Sequence, residues 1–538
     1  MRAFGQLLEN LLYQPARNGK LALLVDYLAS TPDPDRGYAL AALCGALTLD
    51  EVKPALLRGL IEERADPILF RLSYDFVGDL SETIALMWEP SGAPVSTPGL
   101  AKVVEAMRAM SKSEARRQLP AWLDALDGTG RWALLKLVTG GLRVGVSSGL
   151  AKQALSQWSG VAQVEIEEVW HAFAPPYLPL FAWLSGAAPR PSANDSLGFH
   201  SPMLSHPIED GDFKKLDPRD FAAEWKWDGI RVQLKSRSGA GTRLFSRSGD
   251  DIGAAFPDLI DSPAFFGGLD GELVAMTPGE AGLDSVASFS TLQQRLNRKS
   301  VSAAMLGRIP VGIIAYDLLF AADASGENWR DVRALPFHER RRLLEAAVER
   351  AADPRLLLSP LLDFADWEAL AAQRAASAQR PSVEGVMLKR KDSPYLAGRP
   401  RGEWFKWKRD AHLLDCVMMY AQRGHGKRAS LYSDFTFGLW RGEDLLPVGK
   451  AYFGFTDVEL AQLDRFVRQN TVQRFGPVRE VVHNPDEGLV LEIAFEGVQQ
   501  STRHKSGVAM RFPRINRIRR DKKPGEADQL ETLAKLAK

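Results

Sequence analysis

The stretch Glu224-Trp225-Lys226-Trp227-Asp228-Gly229-Ile230-Arg231 constrains this chain more than any other. Read as an extended strand, it sets Glu224, Lys226 and Asp228 on one face and Trp225 and Trp227 on the other. Past Gly229 the phase flips: Ile230, Val232 and Leu234 are apolar, whereas Arg231, Gln233 and Lys235 are polar. A phase change across Asp-Gly is what a tight turn between two short strands gives, so a hairpin is expected here. Lys226 then sits near a strand end, on the polar face, with a carboxylate on each side. That position suits a reactive amine, and it equally suits an ordinary lysine of a surface hairpin.

A chain of 538 residues exceeds a single core, which sets an expectation of about three domains. Residues 1–190 carry helical apolar spacing, as over 21–28, 54–64, 100–110 and 113–126, and almost no strand signal. Residues 186–202 are rich in Pro, Ser, Gly and Asn and read as a linker. Over 203–409 short strands and helices follow one another out of strict alternation, the mark of an α+β domain. Over 410–538 roughly five strands and one helix, at 457–469, suit a small OB-type barrel. The polar tail, 524–538, is expected to be helical or frayed.

Several classes are excluded. A net charge of +1 gives no overall attraction to a polyanion, so any nucleic-acid face has to be local. Cys44 and Cys416 are the only cysteines, too few for a disulfide framework or a four-cysteine zinc site. No apolar run approaches the roughly 20 residues that span a bilayer. The start, Met1-Arg2-Ala3-Phe4-Gly5, lacks a signal-peptide core, and a cytoplasmic protein is expected.

The middle domain collects charged residues within or beside strongly apolar strands: SRSGD at 246–250, DGEL at 270–273, AYDLLF at 315–320, EGVMLKR at 384–390 and WFKWKRD at 404–410. Charges in such strands favour a polar cleft over surface decoration. Arg231, Arg247, Lys406 and Lys408 as fixed cations, with Glu272 and Glu384 as carboxylates suited to Mg²⁺, point to a polyphosphate and a metal. Gly424-His425-Gly426-Lys427-Arg428 has the wrong spacing for a Walker A loop, and no dinucleotide fingerprint opens a helix after a strand. A nucleotide cleft without a P-loop leaves Lys226 as a candidate covalent nucleophile. In the helical part, the Gly/Ser-rich loop 140–149 opens onto a helix and would expose backbone N–H groups to a phosphate backbone. An ordinary interhelical loop has the same composition.

Glu224-x-Lys226-x-Asp228-Gly229-x-Arg231 resembles the first motif of the covalent nucleotidyltransferases, ATP-dependent DNA ligases above all. The five stretches just quoted resemble that family's later motifs in the same order, and Met510-Arg511-Phe512-Pro513-Arg514, running into Arg519-Arg520-Asp521-Lys522, resembles its C-terminal one. LLKLVTGGLRVGVSSGLAKQAL, at 134–155, resembles the phosphate-contacting segment of its helical domain. The likeness covers nearly the whole chain and is nearest to the three-domain bacterial type.

The resemblance implies an all-α N-terminal DNA-binding domain over 1–190 and an α+β nucleotidyltransferase core of ATP-grasp-like antiparallel sheets over 203–409. It implies a C-terminal OB-fold β-barrel over 410–538. It implies that Lys226 attacks the α-phosphate of ATP and carries AMP, that Glu224 accepts from the adenine amino group, and that Tyr316 stacks on the ring. Arg231, Arg247 and Arg401 would contact phosphate or ribose. Glu272 would meet the ribose or a metal, Glu384 would hold Mg²⁺ (or Mn²⁺), and Lys406 and Lys408 would bind the α-phosphate. Arg511, Arg519, Asp521 and Lys522 would orient pyrophosphate, and Arg143, Ser147 and Lys152 would contact DNA. The implied reaction is sealing of nicked duplex DNA by a monomer at the nucleoid, as in repair, replication or recombination, with release of AMP.

Related readings are weaker. An RNA ligase or a capping guanylyltransferase would not need the helical domain, an NAD⁺-dependent ligase would carry zinc-binding cysteines, and an inactive DNA-binding scaffold would not retain Lys226 with its partners. Two positions depart from the family pattern: Ser248 stands where asparagine is frequent, and Tyr316 where phenylalanine is, so its hydroxyl needs a partner if buried. A free lysine, with a pKa of about 10.4, is protonated and non-nucleophilic at neutral pH. Lys406, Lys408 and a metal would lower that value and Glu224 and Asp228 would raise it; the expectation is that the cations prevail once ATP is bound.

Overall fold

The structure is a computed structural model that describes all residues except 48, 50–51, 91–95, 171, 192–196, 262–263, 297, 299–300, 378–379, 381, 425–429, 502–503 and 537–538. The Gly424–Arg428 stretch beyond Gly424, and part of the 186–202 linker, therefore lie outside the described residues. Two compact units form: residues 1–154, 175–178 and 411–538 make one, and 155–174 with 179–410 make the other.

The first unit begins with helices whose ends are written locally. Ser111 and Glu114 cap each other's backbone at the start of Lys112–Ala125, and Asp66 accepts from the N–H groups of Ile68 and Leu69 to start Pro67–Val77. Gly78, at φ 78°, ends that helix in the left-handed conformation. The unit's C-terminal part is a sheet domain centred on the strand His412–Arg423, which pairs with Tyr432–Arg441, Val478–Val481 and Val490–Phe495. Helix Asp457–Gln469 has the bounds expected from its spacing and buries Leu460, Leu463 and Val467. The polar tail is helical over Leu530–Lys535. Leu530 and Leu533 are buried in the domain core, and Trp440 Nε1 donates to the Pro524 carbonyl at 2.7 Å.

The second unit holds two mainly antiparallel sheets, each with one short parallel edge strand. We label its main strands β1 (Phe221–Trp227), β2 (Ile230–Arg237), β3 (Gly241–Ser246), β4 (Gly267–Ala275), β5 (Val311–Ala322), β6 (Val383–Arg390) and β7 (Trp404–Lys408). One sheet runs β3-β2-β4-β5, with short edge strands beside β5; the other runs β7-β6-β1 between the short strands His206–Pro207 and Leu361–Leu362. The expected hairpin is absent. β1 pairs with β6 and β2 with β3 and β4, so Asp228-Gly229 passes the chain from one sheet to the other. Alternation records which face each strand buries, not which strand it pairs with, so a sheet switch and a hairpin leave the same phase flip.

The faces of β1 fall as the alternation requires. Phe221 and Ala223 are buried with Val386, Leu388 and Phe405, and Trp225 packs there too, while Glu224 and Lys226 point to the opposite side. In the other sheet, Val232, Leu234, Leu269, Leu273 and Ile313 share a core with Leu344 of helix Phe337–Ala351. Gln233 and Lys235, polar in pattern, are also buried, at 2% and 0% exposed.

Two glycines permit the close approach of backbones. A Cβ at Gly229 would fall 2.4 Å from the Leu273 carbonyl oxygen, and one at Gly385 (φ 147°) would fall 2.2 Å from that of Trp407. Gly385→Ala is expected to cost on the order of 3 kcal/mol, through overpacking plus backbone strain, and to lower the unfolding temperature. Thermal unfolding of the full chain checks this; an unchanged midpoint would show that the sheet relaxes around the methyl group.

Candidate active site

The site is laid out by strand register. Gly385 of β6 lies between Lys226 of β1 and Lys408 of β7, and Met387 lies between Glu224 and Lys406. The β1–β6 register slips between Val383 and Gly385, a bulge that leaves Glu384 as the extra residue and re-aims its side chain. Lys226 Nζ donates to Glu384 Oε2, and Lys408 Nζ lies 3.7 Å from the same oxygen. Asp-Gly and the bulge together thus bring a lysine and a carboxylate, far apart in sequence, into contact, both side chains being partly buried.

Burial alone would lower the pKa of Lys226, but Glu384 and Glu272 outweigh it and hold the ammonium above its ordinary value. Without ligand the balance is thus the reverse of the one expected for the ATP-bound state: the carboxylates prevail. Glu272 answers to burial first and then to Glu384 and Asp270. Its carboxyl is pushed up to about 8, against the pull of Lys226 and Arg231. Two carboxylates around one lysine, one of them forced toward its neutral form, make a hard-oxygen pair that suits a divalent cation. Among the described residues no group of three or more metal-binding side chains occurs, so a metal here would draw its other ligands from substrate or water.

Glu224 is 1% exposed. Its carboxylate accepts from Arg341 Nη1 at 2.8 Å and pairs with Lys389 Nζ at 2.7 Å, and each oxygen retains a second lone pair. Arg231 is held by Asp270, fully buried, through Nε at 3.0 Å and Nη2 at 2.5 Å. Tyr395 also donates to Asp270, at 2.6 Å, and Tyr316 at 3.3 Å. The hydroxyl of the half-buried Tyr316 thus has a partner.

The remaining cations crowd together. Lys406 is held below the ordinary lysine value by partial burial and then by Arg399, Lys408, Lys226 and Arg247. Arg247 is exposed on the turn after β3 and is itself lowered by desolvation, Arg231 and Arg399. Mutually repelling cations around one lysine–carboxylate pair form a site for a polyanion. Arg401 stands exposed on the turn before β7.

The C-terminal residues belong to the first unit and form a cluster of their own. Arg519 pairs with Asp521 at 2.7 Å and Asp415 at 2.9 Å, Lys522 donates to Asp415 at 2.6 Å, and Arg511 lies at the end of the strand Val508–Arg511. In the loop 140–149 of the same unit, Gly140, Arg143 and Gly145 all have positive φ. Arg143 and Ser147 are exposed, and Ser147 Oγ accepts from the Leu150 N–H at 3.2 Å. Lys152 is buried, at 3% exposed.

Several site residues were missed. Asp270 and Lys389 lie within quoted motifs, and each is a charge in an apolar strand, a signal available but not followed. Arg341 and Tyr395 join the site through pairings that no local pattern announces, and Arg399 comes near Arg247 and Lys406 as a like charge.

Known proteins resemble this chain over most of its length. Residues 202–408 match the model of the ATP dependent DNA ligase domain, and 428–522 that of the ATP dependent DNA ligase C terminal region. The chain is 33% identical to a probable DNA ligase of Koribacter versatilis, covering all of this chain and 96% of that one. It is 32% identical to a probable DNA ligase of Anaeromyxobacter dehalogenans strain 2CP-C, covering 97% and 96%. A solved structure, Pmar-Lig_Pre, shares the fold with a TM-score of 0.57 at 15% identity, over 96% of this chain and 99% of that one.

Two outcomes follow from the electrostatics. Removing the charge in Glu384→Gln should lower the pH midpoint of Lys226 acylation by a small amine-reactive reagent, read by mass spectrometry; an unmoved midpoint would contradict the pairing. The folded Glu272 carboxyl keeps its proton to about pH 8, whereas an unfolded one releases it near 4.3, so the folded state loses stability as pH rises through that window. The unfolding temperature of Glu272→Gln relative to the parent should therefore climb between pH 5 and 8 and level off above. A pH-independent difference would contradict this.

Proposed function

This chain belongs to the ATP-dependent DNA ligase family, and from that premise we propose that Lys226 is the residue that carries AMP from ATP to the 5′-phosphate of a nick. ATP-dependent DNA ligases join DNA through an adenylate intermediate, and this chain is a DNA ligase of that kind. The observation that carries the assignment of Lys226 is its contact with Glu384 inside a ring of cations suited to phosphate.

Lys226 Nζ, having lost a proton, forms the N–P bond to the α-phosphorus while the bond to pyrophosphate breaks. Glu384, already accepting from that ammonium, is placed to take the proton. Glu224 is held by Arg341 and Lys389 where it can accept from the adenine amino group, and Tyr316, fixed by Asp270, offers a ring to the base. Lys406 and Lys408 oppose the charge that builds on the α-phosphate, and Arg231, Arg247 and Arg401 meet ribose and phosphate. Arg511, Arg519, Asp521 and Lys522 orient the leaving pyrophosphate. Glu272 and Glu384 would hold Mg²⁺, which would supply charge to neutralise the phosphates. The 5′-phosphate then takes AMP from Lys226, and the 3′-hydroxyl displaces AMP to complete the phosphodiester.

The domain limits that fit this reading are 1–190 for DNA binding, 203–409 for adenylation and 410–538 for an OB-fold, in a monomer acting on chromosomal DNA in the cytoplasm. Arg143, exposed and in the left-handed conformation between Gly140 and Gly145, supports a phosphate contact there. Lys152, being buried, would support the loop from beneath.

The experiment is incubation with α-labelled ATP, Mg²⁺ and a nicked duplex. Sealing should be abolished in Lys226→Ala; preferential labelling by GTP would favour a capping-type transferase instead. Arg143→Ala should weaken nick binding and reduce the slope of log K against log salt by about 1, the loss of one phosphate contact. An unchanged slope, measured by fluorescence anisotropy, would remove Arg143 from the interface.

A further inference from the structure

The segment 197–203 reads as the end of a linker, yet Leu197, Phe199, Ser201 and Met203 are each no more than 5% exposed. β2 is built to hold it. The Gln233 side chain pairs with the backbone of His200 as a neighbouring strand would, accepting from its N–H at 3.1 Å and donating to its carbonyl at 2.6 Å. Lys235, fully buried, donates to the Gly198 carbonyl and meets His200 Nδ1, with its ammonium 4.7 Å from the Phe320 ring centre. Burying a lysine without a contacting carboxylate is costly unless its hydrogen bonds are met. A passive tether would not need one.

The segment touches the two turns that carry the cations at the mouth of the cleft. The Phe199 ring packs on Phe245, with centroids 5.9 Å apart, and lies under Gly249; a Cβ at Gly249 (φ 87°) would fall 2.9 Å from that ring. Gly249 closes the turn of Arg247 by donating to the Ser246 carbonyl at 3.0 Å. At the other end, Met203 bridges to Gly398, beside Arg399, and is buried with Tyr395 and Trp404. Ser201 Oγ donates to Glu167 of the helix Gln163–Trp170, which ties the same segment to a helix preceding the linker.

We propose that residues 197–203 form a strut of the nucleotide site and that Phe199 is a positioning residue acting through Arg247. The inference rests on the reading of Arg247 as a nucleotide contact. Its test uses the full chain and reads the half-saturating ATP concentration and the maximal rate of self-adenylylation. Phe199→Ala should raise half-saturating ATP on the order of tenfold, the scale of a misplaced contact, with a smaller change in maximal rate. Phe199→Leu, which keeps the apolar fill, should restore most of the loss. Gly249→Ala, which crowds the same contact from the loop side, should reproduce it and stands in if Phe199→Ala does not fold. In an Arg247→Ala background, Phe199→Ala should add nothing, because both changes act on one contact. If Arg247→Ala raises half-saturating ATP and the Phe199 variants do not, or if the effects add, the strut fails while the Arg247 reading survives. If Arg247→Ala itself changes nothing, both fail.

Discussion

The hydrogen bond from Lys226 to Glu384 is the interaction on which the rest of the nucleotide site depends. It exists because β1 ends where the chain leaves one sheet for the other and because β6 carries a bulge opposite that end. Gly385 lets β7 close on the bulge, which in turn sets Lys408 across from Lys226. Burial works against the Lys226 ammonium, and the carboxylates of Glu384 and Glu272 outweigh it and hold its pKa above the ordinary lysine value.

Around this pair the charges are arranged in opposing layers. Buried carboxylates orient cations: Asp270 fixes Arg231, while Glu224 is itself fixed by Arg341 and Lys389. Outside them like charges gather: Lys406 lies near Arg399, Lys408 and Arg247, and Arg247 near Arg231 and Arg399. The inner layer is rigid because each group is hydrogen-bonded and desolvated. In the outer layer Lys406 and Lys408 sit on β7 while Arg247 and Arg399 sit on loops, and the buried segment 197–203 underpins those two loops.

Much of this was legible from the residues. Alternation placed Glu224 and Lys226 on one face and the tryptophans on the other, and the helix 457–469 was bounded correctly by spacing alone. What was hidden depended on pairing between distant segments. An Asp-Gly phase flip reads identically for a hairpin and for a step between sheets. Gln233 and Lys235 look like a solvent-facing row because the segment that covers them lies some thirty residues earlier, in what composition marks as linker. Lys152 carries a charge on a helix, which says nothing of the packing that buries it. The tail is polar in sequence, yet Leu530 and Leu533 are enough to seat it in a core.

The most direct test of the account is the site of AMP attachment. The full chain, incubated with ATP and Mg²⁺ without DNA, is digested and its peptides are mapped by mass spectrometry. The account predicts one AMP, joined through Nζ of Lys226, and none on the neighbouring Lys406 or Lys408. AMP on another residue, or none on a protein that still seals nicks, would contradict it.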